Sequence, residues 1–157
     1  MKNKIKYLII ILVVVGVSLA GGYATSLGLE SWYPSLKFPS FVPSGSFIGL
    51  VWTVIYILSA ISAMIFFGKD RKKTENYSAV LTLFIANAIL NLLWSFIFFA
   101  WHNIEWAFYE MLVLEATNLF LIIYSWKSSK ISSVLLIPYL LWVGFASYLT
   151  LQILFLN

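Results

Sequence analysis

The amino-acid sequence predicts an all-α integral membrane protein, five transmembrane helices forming one domain over residues 1–157, and three observations carry that prediction. First, apolar residues make up 62% of the chain and charged residues 10%, with a mean hydropathy of +0.94. A soluble domain carries roughly 25% charged residues because its surface must face water. Ten Lys/Arg and six Asp/Glu cannot cover a globule of 157 residues, which excludes a soluble enzyme, a nucleic-acid binder and a disordered tail. Second, the apolar residues gather in five runs. Each supplies the stretch of about 20 helical residues that a hydrocarbon core about 30 Å thick requires. Third, the basic residues fall almost entirely in one set of connectors, the mark of an oriented multispanning chain.

The first run covers about 5–23, behind Lys2, Lys4 and Lys6. A secretory signal has an apolar core of about 7–15 residues. Residues 5–20 already make sixteen, broken only by Ser18, so the segment reads as a retained span. The second run covers about 47–67, the third 77–101, the fourth 105–126 and the fifth 132–155. Connectors are short except for 24–46, where Pro34, Pro39, Pro43 and Gly45 punctuate the chain against helix. With the amino terminus inside, Lys2, Lys4, Lys6, Lys69, Arg71, Lys72, Lys73, Lys127 and Lys130 are all cytoplasmic, and only Lys37 is outside. Nine against one predicts an inside amino terminus, an outside carboxyl terminus and an outward-facing long loop.

Other counts exclude chemistry. The chain has no Cys and one histidine, His102. Disulfides, thiolate sites and multi-histidine metal sites are therefore ruled out, and no metal is expected. The net charge of +4 reflects orientation rather than a nucleic-acid partner.

Aromatic residues are in surplus: 13 Phe, 9 Tyr and 7 Trp, more than a bilayer needs. Trp101, Trp106, Trp126, Tyr7, Tyr77 and Tyr124 sit at span ends and read as interfacial belt. Trp52, Trp94 and Trp142 lie deeper, where an indole N–H wants a partner in a medium without water. They read as cavity or helix-packing residues. Asn87 and Asn91, four apart on the third span, share one helical face that Trp94 and Phe98 continue. Two readings stand side by side for these amides. They bond neighbouring helices, at about 0.6–2 kcal/mol each, or they furnish the polar handles of an apolar pocket.

Glu110 and Glu115 lie inside the fourth span, where a carboxylate costs about 2.5–3.5 kcal/mol at the bilayer centre. Five residues apart, they do not share a face, whereas Glu115 and Asn118 do. With no intramembrane Lys, Arg or His, a proton or ion path lacks a relay. Gly16/Ala20, Ser18/Gly22, Ser59/Ala63 and Gly144/Ala146/Ser147 mark expected close helix contacts. Pro138 is expected to kink the fifth span beside Trp142, and the run 69–73 reads as a solvated turn.

Trp32-Tyr33-Pro34-Ser35-Leu36-Lys37, Pro39 and Pro43, then Phe47, Val51-Trp52-Thr53, Tyr56 and Leu58, together resemble the signature of the TspO/translocator protein family, the tryptophan-rich sensory proteins. Asn87-xxx-Asn91-xx-Trp94 with Phe98-Phe99, and Pro138-Tyr139 with Trp142-xx-Phe145-Ala146-x-Tyr148-Leu149, extend the resemblance over the whole chain. It implies a five-helix bundle, commonly a homodimer, in a bacterial cell membrane, with a ligand pocket under the first loop. The ligands it implies are porphyrins, such as protoporphyrin IX and haem, and synthetic benzodiazepine or isoquinoline carboxamide compounds. The porphyrin would be a ligand, not a resident cofactor. By motif position, Tyr33, Pro43, Ile48, Trp52 and Tyr56 would line the pocket from the loop and second span. Asn87, Asn91 and Phe98 would join from the third, and Trp142, Ala146 and Ser147 from the fifth.

Three departures qualify the resemblance. Phe41 and Val42 stand where the family usually has Trp and Pro. The animal cholesterol pattern lacks its basic residue after Tyr148. Nothing near Trp52 and Trp142 resembles an acid–base pair or nucleophile, so no ordinary enzyme is expected. The resemblance leaves three functions in competition. One is a porphyrin receptor that regulates tetrapyrrole levels or a stress response. Another is light- and oxygen-dependent degradation of protoporphyrin through Trp52 and Trp142. The third is tetrapyrrole or lipid transport.

Overall fold

The computed structural model describes residues 2–68 and 76–157. The basic turn with Lys69, Arg71, Lys72 and Lys73 lies outside the described residues, as does Met1. Six α-helices follow in order: α1 Lys2–Leu29, α2 Gly45–Gly68, α3 Tyr77–Ser95, α4 Ile104–Trp126, α5 Lys130–Val134 and α6 Ile137–Leu156. Five segments, Asn3–Leu29, Gly45–Gly68, Tyr77–Ala100, Ile104–Trp126 and Lys130–Leu156, are long and apolar enough to cross a membrane, at 23 to 27 residues each. The protein is a five-span membrane bundle.

The span boundaries differ from the expected ones in three places, each for a local reason. Helix α1 runs to Leu29 rather than 23, which shortens the loop at its start. Its polar last turns stay helical because their hydroxyls bond back along the helix, Thr25 Oγ1 to the Gly21 carbonyl (2.9 Å) and Ser26 Oγ to that of Tyr23 (2.7 Å). The third span leaves α geometry at its end, where Phe96–Ala100 form a π turn closed by the Trp101 N–H on the Phe96 carbonyl. Ile97, Phe98 and Phe99 are all buried there.

The fifth span is broken rather than kinked. Pro138 stands in the first turn of α6, where its missing N–H goes unneeded, and the break falls at residues 135–136.

Helix α1 packs beside α2 and α3, α3 beside α4, and α4 beside α5 and α6, while α2 closes the ring against α5 and α6. At the amino-terminal end, Ala63, Phe66, Phe67, Val80, Leu121 and Leu136 form one buried cluster. Ser62 and Ser132 bond reciprocally there, each hydroxyl donating to the other's backbone carbonyl (2.8 and 2.9 Å). In lipid such polar contacts hold helices in register. Also at this end, Lys6 Nζ donates to the Phe67 carbonyl (2.9 Å), and the Tyr7 ring lies against Gly68. Tyr7 and Tyr77 therefore pack between helices, whereas Trp101, Trp106, Trp126 and Tyr124 are exposed at span ends as the belt reading expects.

Of the expected glycines, Gly144 comes close to a neighbouring helix, a Cβ there meeting Glu115 Oε1 at 3.3 Å, but the tightest approach falls at a glycine that was not expected. A Cβ on Gly28 would collide with the Phe99 backbone, while Gly16 and Gly22 meet nothing within 4 Å in this chain.

Candidate ligand cavity

Helices α1, α2, α3 and α6 surround a cavity of about 770 Å³. It lies toward the end of the bundle that carries the 30–44 loop. Pockets for drug-sized ligands span about 300–1,000 Å³ and are mostly apolar with a few placed polar groups, and this one has that character. Eight of the expected site residues line it: Tyr33, Ile48, Trp52, Tyr56, Asn91, Phe98, Trp142 and Ala146. Pro43, Asn87 and Ser147 do not. Asn87 and Ser147 are buried side chains with a polar atom lacking a hydrogen-bond partner, and Pro43 is half-buried in the loop.

The two asparagines thus part company. Tyr56 donates its hydroxyl to Asn91 Oδ1 (2.7 Å), and Asn91 Nδ2 donates to the Tyr139 hydroxyl (2.9 Å). Asn91 thus joins α2, α3 and α6 and also borders the cavity. Trp52 extends the cluster, its ring 5.8 Å from Tyr56 and 6.1 Å from Tyr139. On the α6 side Trp142 sits 6.2 Å edge-on from Phe47 and 5.5 Å from Phe145. On the α3 side Trp94 stacks on Phe98 at 5.3 Å. The indole N–H groups of both Trp94 and Trp142 are buried without a partner. Each ring borders the cavity, but its nitrogen is covered by protein rather than open to that space.

No Lys, Arg, Asp, Glu or His lines the cavity among the described residues. Such a lining offers a guest shape, aromatic rings and a few neutral polar groups.

The loop crosses the end of the bundle above this space. Its start is a 3-10 turn, Tyr33–Ser35, with Pro34 supplying the fixed φ. Trp32 packs edge-on against Phe98 (5.1 Å) and flat against His102 (4.6 Å). Tyr33 rests against Phe38 (4.6 Å) and Phe99 (5.6 Å), and burial raises its hydroxyl above the usual tyrosine pKa, so it stays protonated. Farther along, Phe41 stacks on Tyr148 (5.7 Å). Asn157 grips the Lys37 backbone on both sides, accepting from its N–H (2.9 Å) and donating to its carbonyl (3.0 Å). The loop is pinned at α3 and at α6.

Sequence reasoning missed a whole wall. Ser18, Gly22, Thr25 and Ser26 of α1 line the cavity, as do Ser95, Phe99 and Thr150. The cluster of small and hydroxyl residues late in the first span was a legible signal for α1. Trp94 shared the Asn91 face yet was absent from the expected site.

The fold and cavity define a class: a five-span membrane protein with an uncharged, aromatic-walled chamber. The chain matches the TspO/MBR family over residues 9–156. It is 37% identical to the tryptophan-rich protein TspO of Bacillus cereus over 128 residues, 82% of each chain. It is 33% identical to the tryptophan-rich protein TspO of Archaeoglobus fulgidus over 155 residues, 99% of each. The human translocator protein is 27% identical over 118 residues, 75% of this chain and 70% of that one. The protein belongs to the TspO/MBR family.

Proposed function

We propose that the protein is a membrane receptor for porphyrins, protoporphyrin IX and haem-like tetrapyrroles, and for related flat hydrophobic molecules, acting in control of tetrapyrrole levels or a stress response. The observation that carries this reading is the cavity of about 770 Å³ walled by Trp52, Trp94, Trp142, Phe98 and Tyr33. Aromatic walls suit a planar macrocycle. Since no cation among the described residues lines the cavity, the acid edge of such a ligand belongs at the loop end, near Lys37 and water. Titration of the purified protein with protoporphyrin IX, read by tryptophan quenching, tests the reading. Saturable quenching is expected, and linear, non-saturating quenching overturns it.

A second reading, light- and oxygen-dependent breakdown of the bound porphyrin, is favoured by the series of oxidisable rings Trp52, Tyr56 and Tyr139, spaced about 6 Å apart. Irradiating the complex under oxygen separates the two. A pure receptor loses its Soret band no faster than free porphyrin does. We also infer an inside amino terminus and an outside carboxyl terminus from the charge asymmetry, and assembly as a homodimer from the family resemblance.

A further inference from the structure

The cavity's closed and open sides differ in kind. Toward the amino-terminal end it is stopped by the buried cluster of Phe66, Phe67, Val80, Leu121 and Leu136. Toward the other end the loop is held at Lys37 by Asn157, at Phe41 by Tyr148 and at Trp32 by His102. On the α3 and α6 sides no lining residue is exposed even though all border the cavity: Phe98, Asn91, Leu149, Thr150 and Ile153 expose 9% or less, and Trp94, Trp142, Phe145 and Ala146 are half-buried. Bordering the cavity therefore does not by itself expose a residue. The lining residues of the α1 and α2 walls behave differently. Ser18, Gly22 and Ser26 on α1, and Gly49, Thr53 and Ile57 on α2, border the same cavity and are exposed.

Among the described residues, the hydrogen bond and the close glycine contact between these two helices both fall at one end. Lys6 Nζ holds the Phe67 carbonyl, and Tyr7 lies on Gly68. Counting along the antiparallel pair from these contacts puts Gly22 level with residues 51–53 and Ser26 level with 47–49. Along that stretch Gly22, Gly45 and Gly49 have no neighbour within 4 Å of where a Cβ would lie. Helix pairs in lipid normally use such residues for close approach. Here they leave space instead. The level of this slit is hydrocarbon, since it lies within two spans flanked by Leu19, Leu50 and Ile57, all exposed.

We propose that the slit between α1 and α2 is a lateral portal, through which flat apolar molecules dissolved in the bilayer enter and leave the cavity while the loop stays shut. The proposal rests on the cavity being a ligand site and adds the route. The lining is uncharged, with the hydroxyls of Ser18, Ser26 and Thr53 as its polar groups, so it admits a molecule that already partitions into lipid and offers nothing to a hydrated ion.

The chain has no Cys, which makes a cross-linking test clean. Gly22→Cys with Thr53→Cys is reconstituted in phosphatidylcholine vesicles. It is then either bridged with a bifunctional maleimide or capped with N-ethylmaleimide. Protoporphyrin IX association and release are followed by tryptophan quenching. Bridging is expected to slow both rates by about tenfold or more relative to the capped protein, with their ratio nearly preserved, as for a gate that is not part of the equilibrium contact. Lys37→Cys with Asn157→Cys, treated the same way, is expected to show equal rates bridged and capped. Slowing at the loop pair and not at the slit overturns the portal, as do equal rates at the slit with binding intact. Should the first pair fail to fold, Ser26→Cys with Gly49→Cys probes the same slit. Absence of saturable quenching in the unmodified protein overturns the receptor reading and the portal with it, so the two failures are distinguishable.

Discussion

Two kinds of buried polar side chain meet in this protein, and single substitutions separate them. Asn91 is fully engaged, bonded to the hydroxyls of Tyr56 and Tyr139. Replacing it by Leu strands both hydroxyls, so Asn91→Leu is expected to lower stability by about 1–3 kcal/mol, read as a fall in Tm in detergent without ligand. Trp142 is the opposite case, since its N–H has nothing to lose within the chain. Trp142→Phe should therefore leave Tm close to that of the parent, yet weaken porphyrin binding by about 1–2 kcal/mol. Trp52→Phe should weaken it comparably, and the double variant should be non-additive because one ligand couples the two rings. Unchanged affinity in both would remove these residues from the site. Periodicity showed which α3 face matters and not how deep the cavity reaches along it. Asn87 shares that face with Asn91 but lies outside the lining, a turn nearer the amino-terminal end. Ser147 follows Ala146 on α6, and one residue of helical rotation takes it off the wall.

At the level of elements, the informative contacts are backbone against side chain. Gly28 sits where α1 meets the π turn, and its missing Cβ is what lets the Phe99 carbonyl approach. Gly28→Ala should destabilise the protein by about 1–3 kcal/mol, as overpacking does. Gly16→Ala, in open space on the same helix, should be neutral or slightly stabilising, since Ala is the better helix former by about 1 kcal/mol. Parallel thermal melts decide it, and equal effects would refute the close approach. The loop gives a second test. Pinned at both ends, it should contribute to ligand retention, so deleting residues 36–40 is expected to weaken porphyrin affinity by at least about tenfold, or 1.4 kcal/mol, with helix content unchanged. Unchanged affinity would leave it a connector. These elements were only partly legible beforehand. Hydropathy located every span because lipid demands an apolar stretch of fixed length. It could not show that Thr25 and Ser26 prolong α1 by bonding to their own helix. Nor could it show that Pro138 starts a helix, since a proline in an apolar run fits a kink or a first turn equally well.

For the whole molecule, the bundle has two chemically different ends, and that difference should fix its orientation. One end carries Lys4 and Lys6, with Lys127 and Lys130 after α4, and the sequence has the basic run 69–73 between α2 and α3. The other carries the loop with Lys37 as its single basic residue and the cavity beneath it. Basic residues in short connectors are retained on the cytoplasmic side, so the chamber should lie in the outer half of the membrane with its loop facing out. A cysteine-free chain makes this directly measurable. Ser35→Cys, in the exposed 3-10 turn, should label in intact cells with a maleimide that cannot cross the membrane. Lys72→Cys should label only after permeabilisation. The Ser35 variant also carries a control, because Ser35 lies outside the cavity lining and its substitution should not alter saturable porphyrin quenching. Labelling at residue 72 and not at 35 in intact cells would invert the orientation. The loop and the chamber beneath it would then face the cytoplasmic side.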